Sequence, residues 1–312
     1  MEINLESSSR QTWDFRTGDQ AYEWLMLARY ANDLLGYRQL ATAGDAADDS
    51  ELAALFSREI HHPDDAFVNL SKLAALEAIC ATGGAMGELD FVEFGSTIFG
   101  CIEGIAFCQA MLNRYGHPTS TRTDAVQWHG VDVSTRFNEL AKLLHQNYPI
   151  TTYTEMPIQD RFHVFFAKGV SLLYQIRCAQ ELAAFLNTSK ISVFDYTFAM
   201  AGEQKAELGT GKEVVYLDVN TGLAEMRASG GKLMARRGRS GVRRDMDRFT
   251  MDVVFGDPTT VDAFMRIDAK FRATIKLGAG RSPLAHIMLP MDDGAAAWIT
   301  IEEALDQELP ID

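Results

Sequence analysis

The sequence predicts an α/β protein, a doubly wound and mostly parallel sheet carrying an N-terminal helical cap. Three observations predict it. From Leu89 to Phe198, short apolar runs rich in β-branched and aromatic residues alternate with stretches of helical period, the pattern of βαβ units. From about residue 18 to 85 the pattern is helical with no strand between. The composition is globular, with 47% apolar and 23% charged side chains over 312 residues, enough to bury a core without staples.

The cap comes first. Trp24, Leu27, Ala28, Ala31, Leu34 and Leu35 share one helical face, and the small, acidic linker ATAGDAADDS follows. Phe67, Leu70, Leu73, Ala74 and Ile79 repeat the period, with Asp64 or Asp65 as N-cap after Pro63 and a stop at Thr82-Gly83-Gly84. The expected boundaries are a cap over 1–86 and an α/β domain over 87–312, with substrate-side additions from about 200. Within that domain the expected strands are Phe91–Phe94, Val126–Val133, Ile150–Tyr153, Phe162–Ala167 and Ile191–Phe198. Helices are expected over Cys101–Tyr115, Thr135–Asn147 and Ser171–Leu186. Later, Val214–Leu217 and Thr250–Phe255 read as strands, and 222–228 and 258–270 as helices. Lys232 to Arg248 carries seven basic residues and reads as a solvated loop or as a loop that binds an anion or gates substrate.

Charge narrows the function. Against 29 Lys and Arg stand 43 Asp and Glu, a formal charge of −14, which repels phosphate backbones and anionic lipid. Neither nucleic acid nor a membrane surface is an expected partner. No apolar run reaches the roughly 18–20 residues of a membrane helix, and the N-terminus lacks the basic and apolar regions of a secretory signal. Cys80, Cys101, Cys108 and Cys178 show no ligand spacing and read as buried thiols of a reducing compartment, so a cytoplasmic protein without a metal is expected. His61-His62 beside Asp64-Asp65 has metal-ligand residue types, but adjacent histidines diverge on any regular element.

In a doubly wound sheet ligands bind beyond the carboxyl ends of the strands, so the residues just after each strand are the ones that matter. The first strand runs into Glu93-Phe94-Gly95-Ser96-Thr97, where a glycine lets backbone approach a ligand and small residues leave N–H groups open. The second ends in His129-Gly130-Val131-Asp132-Val133-Ser134, placing a carboxylate where ribose hydroxyls are held in nucleoside-binding α/β proteins. His129 precedes this acid, and His163 reads as a packed core histidine.

Taken together, VEFGS at Val92–Ser96, HGVDVS at His129–Ser134 and RFHVFFAKGVSLLYQI at Arg161–Ile176 resemble the class I S-adenosylmethionine-dependent methyltransferases over roughly residues 88–200. The resemblance implies a Rossmann-like methyltransferase fold, S-adenosylmethionine as cofactor and a small-molecule acceptor. It implies that Glu93 and Gly95 open the cofactor loop, with Ser96 and Thr97 near the methionine moiety. Asp132 would hold the ribose and Val133 flank the adenine, with Glu155 and Met156 near its amino group. Ala167 and Lys168 would line the sulfonium side, and Lys168 and Tyr174 are candidates for a catalytic base or wall. Trp24, Tyr30 and Tyr37 of the cap would wall the pocket or merely pack it.

Two departures stand out. The family loop reads close to ExGxGxG, whereas Thr97 and Phe99 stand where the second and third glycines would be. The 39 positions from Glu93 to Asp132 also require a longer first helix or a loop near Pro118–Asp124. A non-catalytic relative that keeps the fold as a binding module stays open on the first of these. A nicotinamide-dependent oxidoreductase is a weaker alternative, since GxGxxG and a helical Tyr-x-x-x-Lys pair are both missing.

Overall fold

The computed structural model describes residues 64–84, 89–114, 116–157, 162–167, 172–173, 175–207, 213–237, 248–279 and 299–300. Trp24, Tyr30, Tyr37, His61, His62, Lys168 and Tyr174 lie outside them.

Helix α1 (Asp64–Ala81) begins at the expected acid and ends at the expected glycines. Its last turn closes through Thr82 Oγ1 donating to Ala78 O (2.9 Å) and Gly84 N donating to Ile79 O (2.9 Å). Leu70, Leu73, Ala75, Leu76, Ala78 and Ile79 are all buried, so α1 is enclosed on several sides rather than resting on one stripe. Strand β1 (Asp90–Phe94), helix α2 (Cys101–Arg114), strand β2 (Gln127–Val131), helix α3 (Thr135–Leu144), strand β3 (Ile150–Tyr153) and strand β4 (Phe162–Ala167) follow. Then come helix α4 (Ala179–Leu186), strand β5 (Ser189–Ala199), the hairpin β6 (Gln204–Glu207) and β7 (Glu213–Tyr216), and helix α5 (Val219–Ala228). Strand β8 (Lys232–Arg237), strand β9 (Arg248–Gly256), helix α6 (Pro258–Ala279) and strand β10 (Ile299–Thr300) complete the order.

The main sheet runs β10-β8-β9-β5-β4-β1-β2-β3. Strands β1 to β5 are mutually parallel, β9 pairs antiparallel with β5, and β8 and β10 continue antiparallel from it. The chain builds outward through β2 and β3 on one side of β1, then returns to β4 and β5 on the other. That reversal is the topological switch point of a doubly wound sheet, and it sets the ligand crevice beyond the carboxyl ends of β1 and β4. The fold is Rossmann-like.

Alternate strand residues feed two cores. Phe91, Trp128, Val164, Phe166, Ile191 and Val193 pack with α1, α2 and α6, while Val92, Phe94, Val131, Phe165, Phe194 and Tyr196 pack with α4 and α5. Close contact sets residue choice: a Cβ on Gly104 of α2 would lie 1.9 Å from Asn69 Nδ2 of α1. Helix α6 is tied to α1 by a buried triad in which Ser71 Oγ donates to Asp268 Oδ1 (3.0 Å) and accepts from Arg272 Nη2 (2.7 Å).

Three expectations change. The helix expected over Ser171–Leu186 begins only at Ala179, because Cys178 is extended (φ −152, ψ 165) and acts as its N-cap. The basic stretch is not one loop: Lys232–Arg237 is β8 and Arg248 opens β9, the cross-strand pairing with β9 outweighing the charge pattern. The expected strand over Val126–Val133 stops at Val131, leaving Asp132 and Val133 beyond the sheet. The extra residues between Glu93 and Asp132 form a loop after α2. Glu77 of α1 anchors it, accepting from Thr121 N (2.5 Å), Ser120 Oγ (2.9 Å) and Ser120 N (3.1 Å).

Candidate functional site

The crevice is built from the loop after β1. Gly95 turns the chain out of the strand with φ 76, a left-handed value that suits glycine, and its N–H donates to Val131 O (2.8 Å) on β2. Thr97 (φ 50) and Phe99 (φ 62) are left-handed as well. Three alternate residues therefore keep the backbone of a glycine loop although only one is glycine. For Thr and Phe this conformation costs on the order of 1–3 kcal/mol each, so the surroundings must impose it.

Three contacts impose it. Thr97 N donates to Asp132 Oδ2 (3.0 Å), tying the loop to the end of β2. His145, just past α3, lies 3.0 Å by its Nε2 from Ile98 O, and since a carbonyl only accepts, that nitrogen carries the proton. The other ring nitrogen lies 3.3 Å from Glu103 Oε1 of α2, and both side chains are buried. The Phe99 ring is fully buried and stands edge-on to Trp128, with centroids 6.0 Å apart. It fits because residue 130 is glycine: a Cβ there would lie 2.6 Å from the ring.

Asp132 is the centre of the arrangement. Besides Thr97 N it accepts from Ser134 N (2.9 Å), and Ser134 caps α3. Asn138 Nδ2 bridges Asp132 O (2.9 Å) and Tyr153 O (3.1 Å), so the ends of β2 and β3 are held together behind the acid. Val133 beside it is 55% exposed, an apolar surface next to a carboxylate. Of the other expected residues, Glu155 is exposed, while Met156 and Ala167 are buried in the core on the α4 side. Ser96 is buried, and its Oγ has no hydrogen-bond partner. Glu93 is held by Lys72 of α1 (2.5 Å), whose ammonium also sits 4.8 Å from the Phe166 ring centroid. Lys72, Glu103 and His145 were missed by the sequence reading; a lysine inside the apolar stripe of α1 was the one available signal.

A second polar cluster lies lower on the sheet. His129 Nε2 is 3.0 Å from Asp90 Oδ1, its Nδ1 is 3.3 Å from the Tyr153 hydroxyl, and Asp90 N donates to His163 Nδ1 (3.1 Å). His129 is thus engaged with Asp90 and Tyr153, and His163 is a partly exposed strand residue rather than a core one. All four cysteines are free thiols, and burial pushes that of Cys108 up to about 12. None of the described helices is long and apolar enough to cross a membrane.

No protein-family model matches the chain, and no curated protein sequence matches it. Solved structures do. The N-terminal domain of EvdMO1, crystallised with SAH and D-fucose, is 13% identical over 59% of this chain and 82% of that one, with a TM-score of 0.40. Several of the structures similar to this chain are named as S-adenosylmethionine-dependent methyltransferases, and one as a possible exported protein from Bordetella parapertussis. The methyltransferase from Mesorhizobium loti is 16% identical over 58% of this chain and 97% of that one, TM-score 0.35. The glycopeptide N-methyltransferase MtfA, complexed with S-adenosyl-L-methionine, is 10% identical over 59% and 87%, TM-score 0.34. At these identities the likeness concerns the fold.

Proposed function

We propose that the protein is a cytoplasmic S-adenosylmethionine-dependent methyltransferase that acts on a small molecule by in-line methyl transfer. One observation carries the reading: the Asp132 carboxylate stands at the end of β2, tied to a loop whose backbone is left-handed at Gly95, Thr97 and Phe99. A carboxylate at the second strand and a glycine-type turn at the first, side by side at the switch point, are what a bound nucleoside needs. The Thr97 and Ser134 N–H groups hold the Asp132 carboxylate at the end of β2, where ribose hydroxyls would meet it. The orphaned Ser96 hydroxyl and the exposed Val133 fit the same ligand, as partners for the methionine and adenine ends.

In this reading Gly95, Ser96 and Thr97 hold the methionine end and Asp132 the ribose, with Val133, Glu155 and Met156 around the adenine and Ala167 toward the sulfonium. When bound, the cofactor supplies an activated methyl group. The chain's part is to hold the acceptor in line and to exclude water, with a base needed only where the acceptor must lose a proton. Lys168 and Tyr174 are the proposed candidates for that base or wall. A second reading, a nucleoside-binding relative without catalysis, draws on the missing glycines and the buried Phe99 ring.

Titration calorimetry with S-adenosylmethionine, S-adenosylhomocysteine and NAD separates the readings. Heat with the first two supports the proposal, heat with NAD alone overturns it, and binding without methyl transfer to any acceptor leaves the second reading. Asp132→Ala should weaken nucleoside binding by about 1.5–3 kcal/mol, the worth of a charge-assisted hydrogen bond. Unchanged affinity in the folded variant refutes the ribose assignment.

A further inference from the structure

We propose that Arg248 is an oxyanion receptor, the residue that recognises a carboxylate or phosphate on the acceptor. It rests on the methyltransferase reading only in naming that anion an acceptor. Arg248 opens β9 in register with Ala199, the last residue of β5, and so stands at the sheet edge where doubly wound folds take ligands. Its guanidinium lies over the Tyr216 ring, 3.8 Å from the centroid, and its Nε donates to Gln204 Oε1 (2.8 Å). Gln204 and Tyr216 face each other across the β6–β7 hairpin. The hairpin inserted between β5 and α5 is therefore what grips this side chain.

What the grip leaves unmatched points to a ligand. Arg248 Nη1 is buried without a hydrogen-bond partner, and among the described residues no carboxylate forms an ion pair with this side chain. Several other cations in the described structure are matched by carboxylates: Lys72 with Glu93, Arg122 with Asp124, Lys232 with Asp262 and Arg272 with Asp268. In a chain with 43 acidic residues against 29 basic ones, a carboxylate for Arg248 is easily supplied, yet none is present among the described residues. A buried cationic N–H with no acceptor is unfavourable by itself, and a ligand oxygen would satisfy it. Stacking and the Gln204 bond fix the guanidinium plane beforehand, so little side-chain freedom is lost on binding. A planar fork with free donors matches the two oxygens of a carboxylate or phosphate.

The test uses the full chain without nucleoside, titrated with inorganic phosphate and with acetate at constant ionic strength, sodium chloride serving as reference, and followed by thermal unfolding and calorimetry. Saturable binding of one or both is expected, and which one binds more tightly distinguishes phosphate from carboxylate chemistry. Arg248→Met should bind at least tenfold more weakly while its ligand-free melting temperature holds or rises, since an unmatched charge has been removed. Arg248→Lys, a point charge without the fork, should fall between. Tyr216→Leu should weaken binding several-fold and Tyr216→Phe should not. Equal responses of wild type, Arg248→Met and Arg248→Lys, or no saturable response in the wild type, overturn the proposal. A chain that binds phosphate through Arg248 but not S-adenosylhomocysteine keeps this site and loses the methyltransferase reading; the converse loses this site alone.

Discussion

The two ends of the crevice solve opposite problems. At the β1–β2 end the loop is strained, yet its backbone is tied down at several points, Thr97 N to Asp132, Ile98 O to His145 and Phe99 N to Ser96 O, with the Ser96 hydroxyl left unpaired. At the β5–β9 end the backbone is regular strand, yet a cationic side chain is left incomplete. One end is shaped before any ligand arrives, and the other is held ready with a donor unmatched. The difference teaches that strain and missing hydrogen bonds are separate marks of a site, and that each calls for its own kind of variant.

The largest expected effect breaks the shaped end. Phe99→Ala removes a fully buried ring from between Trp128 and Gly130, and about 3–5 kcal/mol of stability should go with it. Denaturant unfolding reads this directly. A loss under about 1 kcal/mol would mean that the loop closes over the space, so that its left-handed path does not depend on the ring.

A smaller effect sharpens the same end. His145 touches the loop through one carbonyl, so it is a positioning residue rather than a contact for ligand. His145→Leu should leave Ile98 O and Glu103 without this partner and speed amide hydrogen exchange over residues 95–100 by roughly tenfold, the equivalent of about 1.4 kcal/mol. His145→Gln, which keeps a donor at a similar reach, should restore most of the protection. Equal exchange in His145→Leu and wild type would remove the dyad from any account of the loop.

Much of the frame was legible in the sequence because burial and period coincide there. Phe162–Ala167 is legible to the residue as a short, largely buried apolar run, and Ile150–Tyr153 as a β-branched and aromatic one although none of its residues is fully buried. Asp132 was legible for a similar reason, as an acid directly after an apolar strand and before a helix-capping serine. What was not legible comes from contacts distant in the chain. Lys232–Arg237 is a strand because β9 and β10 pair with it on both sides, a fact that its charge conceals. Nothing local marks Phe99 for a left-handed backbone, since that depends on Gly130 of another strand having no Cβ. Arg248 looked like one of seven similar cations until the β6–β7 hairpin set it apart.

The smallest expected effect concerns the support of the second end. Asp218 caps α5 by accepting from Thr221 N (2.9 Å) and holds the turn after β5 by accepting from Gly202 N (2.9 Å). These bonds, the Thr221 N–H foremost, hold its carboxyl below the usual carboxylate value of 3.8. A group whose pKa is lowered by folding adds stability above its unfolded value and loses it as pH falls through the folded one. Asp218→Ala should therefore cost about 1 kcal/mol near neutral pH, and its deficit against wild type should shrink as the solution is acidified through the carboxylate range. Asp218→Asn, which still accepts but carries no charge, should show a smaller deficit with a weaker pH dependence. Because the turn it holds leads into the hairpin that grips Arg248, phosphate affinity should follow the same order: wild type, then Asp218→Asn, then Asp218→Ala. If stability changes in that order but phosphate affinity does not, the hairpin holds Arg248 without help from the cap, and the two supports of this end are independent.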